Sequence, residues 1–136
     1  PTEAEWEYAA RGGQQTHNYD YSGSNTVGDV AWYLDNSYAL GSGADYGAHP
    51  VGTKAANELG IYDMSGNVWE RCSDWYGNVY PSSADNPTGA SSGSYRVGRG
   101  GSWSSSAAYC RVSYRYYEAP GARYYNVGFR LACSSN

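Results

Sequence analysis

The chain has very little aliphatic material from which to build a core. Val, Ile, Leu, Phe and Met together number 15 of 136 residues, a level at which most chains cannot bury enough apolar area to offset the entropy of ordering. In their place it carries 16 Tyr and 5 Trp. Each ring has a broad apolar face and a polar handle, so a core of rings must partner N–H and O–H groups as well as fill space. With 18 Gly and only 16% charged residues, this composition points to a compact, turn-rich, irregular domain. A second core would need on the order of another 50 to 100 residues, so one fold carries everything.

No apolar run reaches the roughly 18 to 20 residues of a membrane-spanning helix, and the first residues lack the basic-then-apolar pattern of a signal segment. A net charge of −4 argues against a nucleic-acid partner. The basic residues are unevenly placed: Arg96, Arg99, Arg111, Arg115, Arg123 and Arg130 all follow residue 95, where Glu118 is the only acid. They form either a basic recognition face or a set of donors to Tyr and backbone carbonyls. Cys72, Cys110 and Cys133 have no metal-ligand spacing and allow at most one disulfide, and the sequence leaves a Cys72–Cys110 bond open. His17 and His49 are isolated and receive no catalytic role, and no zinc, phosphate-loop or nucleophile-elbow signature occurs.

Local signals give an α+β architecture. Thr2 and Glu5 form a capping box and Trp6, Ala9 and Ala10 an apolar stripe, which predicts a helix over about 3–11, with Glu3, Glu5 and Glu7 in or beside its first turns. Residues 14–60 alternate short apolar pieces with Gly, Ser, Asn and Asp, the pattern of long ordered loops. Strands are expected at Val68–Ser73, continuing into Asp74-Trp75-Tyr76, at Tyr95–Trp103, at Cys110–Arg115 and at Val127–Leu131, with a loop over 77–94. The expectation is a small antiparallel sheet, one capped helix near the N-terminus and long ordered loops.

Several motifs occur in order: Pro1-Thr-Glu-Ala-Glu-Trp6, His49-Pro-Val-Gly52, Asn57 through Glu70, Arg99-Gly-Gly-Ser-Trp103, Cys110-Arg111 and Gly128-Phe-Arg130. Together they resemble the formylglycine-generating enzyme family, the sulfatase-modifying factor domains. The resemblance implies a C-type lectin-like fold spanning 1–136, without the strand and helix that precede the first motif in family members. Enzymes of the family bind copper(I) through two cysteines, for which soft thiolates are well suited. Here the first of those positions is Ser105 and the second Cys110, so neither copper nor oxidase activity is expected; an oxidase and a structural module with buried tyrosines remain the alternatives.

The stretch Asp63 to Glu70 is similar to a calcium-binding stretch of the family, which would make Asp63, Gly66, Val68 and Glu70 ligands of a structural Ca²⁺. Alternatively, Asp63 and Glu70 cap turns and pair with Arg71 or a neighbouring arginine. Arg71 stands where the family has a second tryptophan.

The segment 99–131 also resembles the variable region of target proteins of diversity-generating retroelements, in which randomised adenines turn asparagine codons into Ser, Tyr, Ala, Gly, Asp or Asn codons. That resemblance implies a non-enzymatic ligand-binding domain with a variable region over 100–131. Its contact residues would be Ser104, Ser105, Ser106, Ala108, Tyr109, Tyr116 and Tyr117, followed by Glu118, Ala119, Gly121, Ala122, Tyr124, Tyr125 and Asn126. Glu118 falls outside that codon set. Between these lie residues expected to serve the backbone, among them Gly100, Gly101, Trp103, Cys110, Arg111, Arg115, Pro120, Arg123 and Phe129. Tyr supplies rigid contact area and Ser, Gly and Ala leave room for a partner, the chemistry of antibody loops. The implied partner is a protein or glycan on another cell, virus or host, and the implied location a bacterial or phage surface or the extracellular space. Exposure of Tyr116, Tyr117, Tyr124 and Tyr125 separates this reading from the structural module.

Overall fold

The structure, a computed structural model, describes residues 1–77 and 87–133; of the loop expected over 77–94, residues 78–86 lie outside the described residues. Helix α1 runs Glu3–Ala10, one residue shorter than expected because Arg11 is its C-cap. The capping box forms as the sequence indicates, with the Glu5 N–H donating to Thr2 Oγ1 (3.2 Å) and the Thr2 N–H to Glu5 Oε2 (2.8 Å). Four strands follow: β1 (Trp69–Trp75), β2 (Arg96–Arg99), β3 (Tyr116–Glu118) and β4 (Val127–Phe129). Among the described residues the rest is single helical turns and loops, so the α+β class and the loop-rich character both hold.

The sheet order is β3-β2-β1-β4. β1 and β3 are each antiparallel to β2, as expected, but β4 lies parallel beside β1, with Trp69 opposite Val127 and Arg71 opposite Phe129. The reason is the path of residues 119–126, which return the chain from the far end of β3 to the starting end of β1. β2 stops at Arg99 instead of reaching Trp103 because Gly100 and Gly101 take φ of +88° and +75°. A Cβ on Gly101 would crowd Cys110 Sγ, so the close approach requires glycine.

No strand forms at Cys110–Arg115. A helical turn spans Ala107–Cys110, and the strand begins later, at Tyr116. The apolar alternation is genuine, since Cys110 and Val112 are buried, but the carbonyls of Val112, Ser113 and Tyr114 accept from the Arg99 guanidinium, which takes the place of a ladder.

The core is split. Trp6, Ala10, Met64, Cys72, Val97 and Val112 form one cluster under α1 and the sheet; Tyr21, Val30 and Cys110 form a second. Cys72 and Cys110 are therefore unbonded thiols in separate clusters. The core of rings expected from composition is mostly a core of tryptophans, because Trp6, Trp69 and Trp103 are buried whereas Tyr21 is the one tyrosine buried among the described residues. Buried polar groups supply the remainder. Arg99, fully buried, pairs with Glu7 and lies 3.5 Å from Glu3, while Glu3 makes a two-pronged pair with Arg115 at 2.6 and 2.8 Å. Such a network holds only while every member is satisfied.

Candidate functional site

The Asp63–Glu70 motif is the junction of the fold. Met64 enters the core and the Ser65 hydroxyl donates to the Cys110 carbonyl (2.8 Å). The Gly66 N–H donates to the Gly100 carbonyl (2.7 Å), and the Asn67 carbonyl accepts from the Trp103 N–H (2.7 Å). Asn67 also brackets His49 through both side-chain atoms. Gly66, at φ +77°, packs against the Trp32 carbonyl where a side chain would not fit.

The two carboxylates expected around calcium are already engaged. Glu70 Oε1 accepts from Arg130 Nη2 (2.7 Å), and Oε2 accepts from Arg130 Nε (3.0 Å) and from the Trp6 indole (2.7 Å). Asp63 Oδ2 accepts from the Gly52 N–H (2.7 Å). A divalent cation at Glu70 would have to displace a guanidinium and an indole, so this donor arrangement does not fit calcium and matches the alternative of turn-capping and arginine pairing. The copper arrangement fits no better. Ser105 Oγ accepts from the Ser102 N–H (3.1 Å) and lies 2.9 Å from Ser102 Oγ, so one of the two positions that hold thiols in the enzymes offers only an engaged hydroxyl beside Cys110.

The tyrosines of the expected variable region lie on the outside. Tyr109, Tyr116, Tyr117, Tyr124 and Tyr125 are 42%, 39%, 47%, 59% and 74% exposed, so within this chain they lie outside the core. Ala108, Ala119 and Gly121 are exposed, and Ser104, Ser106, Ala122 and Asn126 are half-buried. Two expected contact residues are not at the surface. Ser105 is buried in the Ser102 hydrogen-bond knot, and Glu118 is buried against Arg71 at 3.3 Å. Conversely Arg111, Pro120, Arg123 and Phe129, expected to serve the backbone, are exposed.

Arg71 is the residue that sequence reasoning undervalued. From β1 its guanidinium pairs with Glu118 and donates to the carbonyls of Pro120 (3.0 Å), Ala119 (3.4 Å) and Ala122. It therefore grips the 118–122 loop almost wholly by main chain, whatever side chains that loop bears. The sequence signal was Arg71 itself, a charge where the family has a tryptophan. The other late arginines act in the same way: Arg99 holds residues 112–114, Arg96 donates to the Ser73 carbonyl, Arg115 to that of Gly77 and Arg130 to that of Tyr62. The basic cluster is thus mainly a set of structural donors. Arg111, exposed and 3.8 Å from Asp20, and exposed Arg123 are the outward members.

Rings outside the variable segment extend the face. Trp69 stacks on Tyr116 at 4.9 Å, Tyr114 meets Tyr109 edge-on at 4.7 Å, and Tyr76 and Tyr95 flank Tyr117 at 4.9 and 5.0 Å. A depression of about 290 Å³ opens among Trp69, Ser104, Tyr109, Tyr114, Tyr116 and Asn126. The exposed rings beside hydroxyl and amide groups make this surface amphipathic.

Comparison with known proteins gives this geometry its context. The model of the sulfatase-modifying factor enzyme 1-like domain matches residues 1–135. The formylglycine-generating enzyme of Streptomyces coelicolor is 38% identical over 97% of this chain and 45% of its own length; the chaperone protein LppX of Paenibacillus barcinonensis is 43% identical over 84% of this chain and 41% of its own. Among solved structures, Treponema denticola variable protein 1 superposes with a TM-score of 0.80 at 42% identity, covering 95% of this chain and 45% of that one. The chain thus spans less than half the length of these relatives. Motifs, fold and comparisons agree that it belongs to the sulfatase-modifying factor enzyme 1-like domain family.

Proposed function

We propose that the chain is a non-enzymatic binding domain whose exposed residues between 104 and 126 contact a protein or glycan on another cell, virus or host. In this reading a retroelement diversifies those positions, and the domain is displayed on a bacterial or phage surface or outside the cell. The observation that carries the proposal is the division of labour in the segment. Its backbone is gripped by residues outside the variable set, Arg71 and Arg99 above all, while five of its tyrosines are left exposed. Exposed Tyr clusters of this kind supply large, rigid contact area at low entropy cost, which suits binding. Ser105 in place of a thiol supports the non-enzymatic part. The likeness to a variable protein supports the diversified part.

The test is deep sequencing of the gene across one source population. Variation concentrated at the exposed codons of 104–126, with codons 105 and 118 far less variable, is the expected result. An invariant segment would overturn diversification and leave a dedicated single-ligand domain.

A further inference from the structure

A second concavity lies at one margin of this face. Tyr38, Tyr46, Trp103 and Tyr125, with Gly47 and Ala48, line a basin of about 560 Å³. Its rings are tilted against one another: Tyr46 meets Trp103 edge-on at 5.2 Å and 77°, Tyr38 lies 5.6 Å from Trp103 at 45°, and Tyr125 lies 5.7 Å from Trp103 at 51°. The basin is not an accident of a loose loop. Ser37, fully buried, places its hydroxyl 2.7 Å from the Asp45 carbonyl and 2.9 Å from that of Gly47, which ties Tyr38 and Tyr46 to one turn.

We propose that this basin binds an ammonium group of the partner, a lysine side chain or a methylated amine, by cation–π attraction. The proposal rests on the reading of 104–126 as a binding face and names a chemical class for one part of it. Tyr38, Tyr46 and Tyr125 are the rings open to solvent (44%, 42% and 74%), with Trp103, 5% exposed, packed behind them, and rings tilted in this way suit a compact cation better than a flat sugar ring, which needs one open platform. The lining has no amide, carboxylate or guanidinium to read sugar hydroxyls, and no basic side chain to repel a cation. Asp45, adjacent to Tyr46, is 59% exposed at its side chain, and four of the six late arginines are spent on internal carbonyls and carboxylates, so the unspent charge of this −4 chain is acidic. Three of the four rings lie outside 104–126 and Tyr125 lies within it, so exchange at position 125 would open or close a wall of the basin.

The experiment titrates the chain with choline, with trimethyl-lysine amide and with 3,3-dimethylbutanol, the uncharged isostere of choline, following Trp fluorescence and ring NMR shifts. Saturable binding of both ammonium probes, at least about fivefold tighter than the isostere, is expected, with about a tenfold loss in Tyr46→Leu and less than about twofold in Tyr46→Phe. Tyr125→Ser, at a 74% exposed position where misfolding is not a concern, is expected to weaken binding about threefold. Equal binding of the isostere, preference for a methyl glycoside, or no binding would each overturn the basin. A library randomised at the exposed positions of 104–126 but fixed at Tyr125 separates the two readings. If it yields binders while ammonium probes fail, the basin falls and the face stands; if it yields none, the face falls.

Discussion

Two regions of this small domain solve the same problem in opposite ways. Under α1, side chains bond side chains: Glu3, Glu7, Arg99 and Arg115 form a buried ionic knot, Trp6 donates to Glu70, and every partner is specific. Across 108–126, outside arginines grip main-chain carbonyls and most side chains point away. The first region cannot change one residue without stranding another. In the second, identity and shape are uncoupled, because a carbonyl is the same acceptor whichever residue bears it. Glu118 within that segment and Ser105 just ahead of it follow the rule of the first region, which is why both are buried.

The hardest blow to this contrast is Arg99→Ala. It leaves Glu7 with Arg11 as its one guanidinium partner and frees three carbonyls at once, and a loss of about 3–5 kcal/mol or outright unfolding is expected in urea titrations. A loss below about 1 kcal/mol would show that the knot is not the anchor.

The buried thiols give the next effect. Burial pushes Cys72 and Cys110 up to about 12, above the ordinary thiol value of 9, so their stabilising effect is complete below pH 9 and is lost as pH rises toward 12, where thiolates would be buried. At pH 8 a disulfide reagent should modify exposed Cys133 quickly and the other two only on unfolding. Two fast thiols would contradict the packing.

Arg71→Ala should cost about 1–3 kcal/mol and speed amide exchange locally at 119–122, with Arg71→Lys intermediate because an ammonium lacks the fork that spans several carbonyls. Uniform acceleration across the sheet instead would mean that Arg71 supports the fold and not the loop. Tyr124→Ser should change stability by less than about 0.5 kcal/mol in the same titration, and a large loss would place that ring in the core after all. Smallest of all, millimolar calcium should move the melting temperature by less than about 1 °C, since Arg130 and Trp6 hold Glu70; a clear rise would restore the metal reading.

Much of this was legible locally. The capping box, the Gly100-Gly101 close approach and β1 follow from near-neighbour chemistry that sequence records directly, and the outward tyrosines from the resemblance to a variable region. Glu118 was expected at the contact surface and is buried instead, although the asparagine-codon alphabet cannot produce it. What sequence could not decide was which long-range partner would satisfy each polar group. Alternation at Cys110–Arg115 looked like a strand because burial alternates there, yet Arg99 had already taken the carbonyls. Asp63 and Glu70 looked like calcium ligands because carboxylates suit calcium, yet Glu70 meets Arg130 sixty positions away. The parallel entry of β4 and the union of Tyr38, Tyr46 and Trp103 with Tyr125 are of the same kind. Sequence alone determined the fold class and the helix, because caps, turns and binary patterning act over a few residues, while the exposed tyrosine alphabet was implied by the resemblance to a variable region. Only tertiary structure decided the arginine clamps and the aromatic basin, because a hydrogen-bond donor takes the acceptor that folding brings within reach, at whatever distance along the chain.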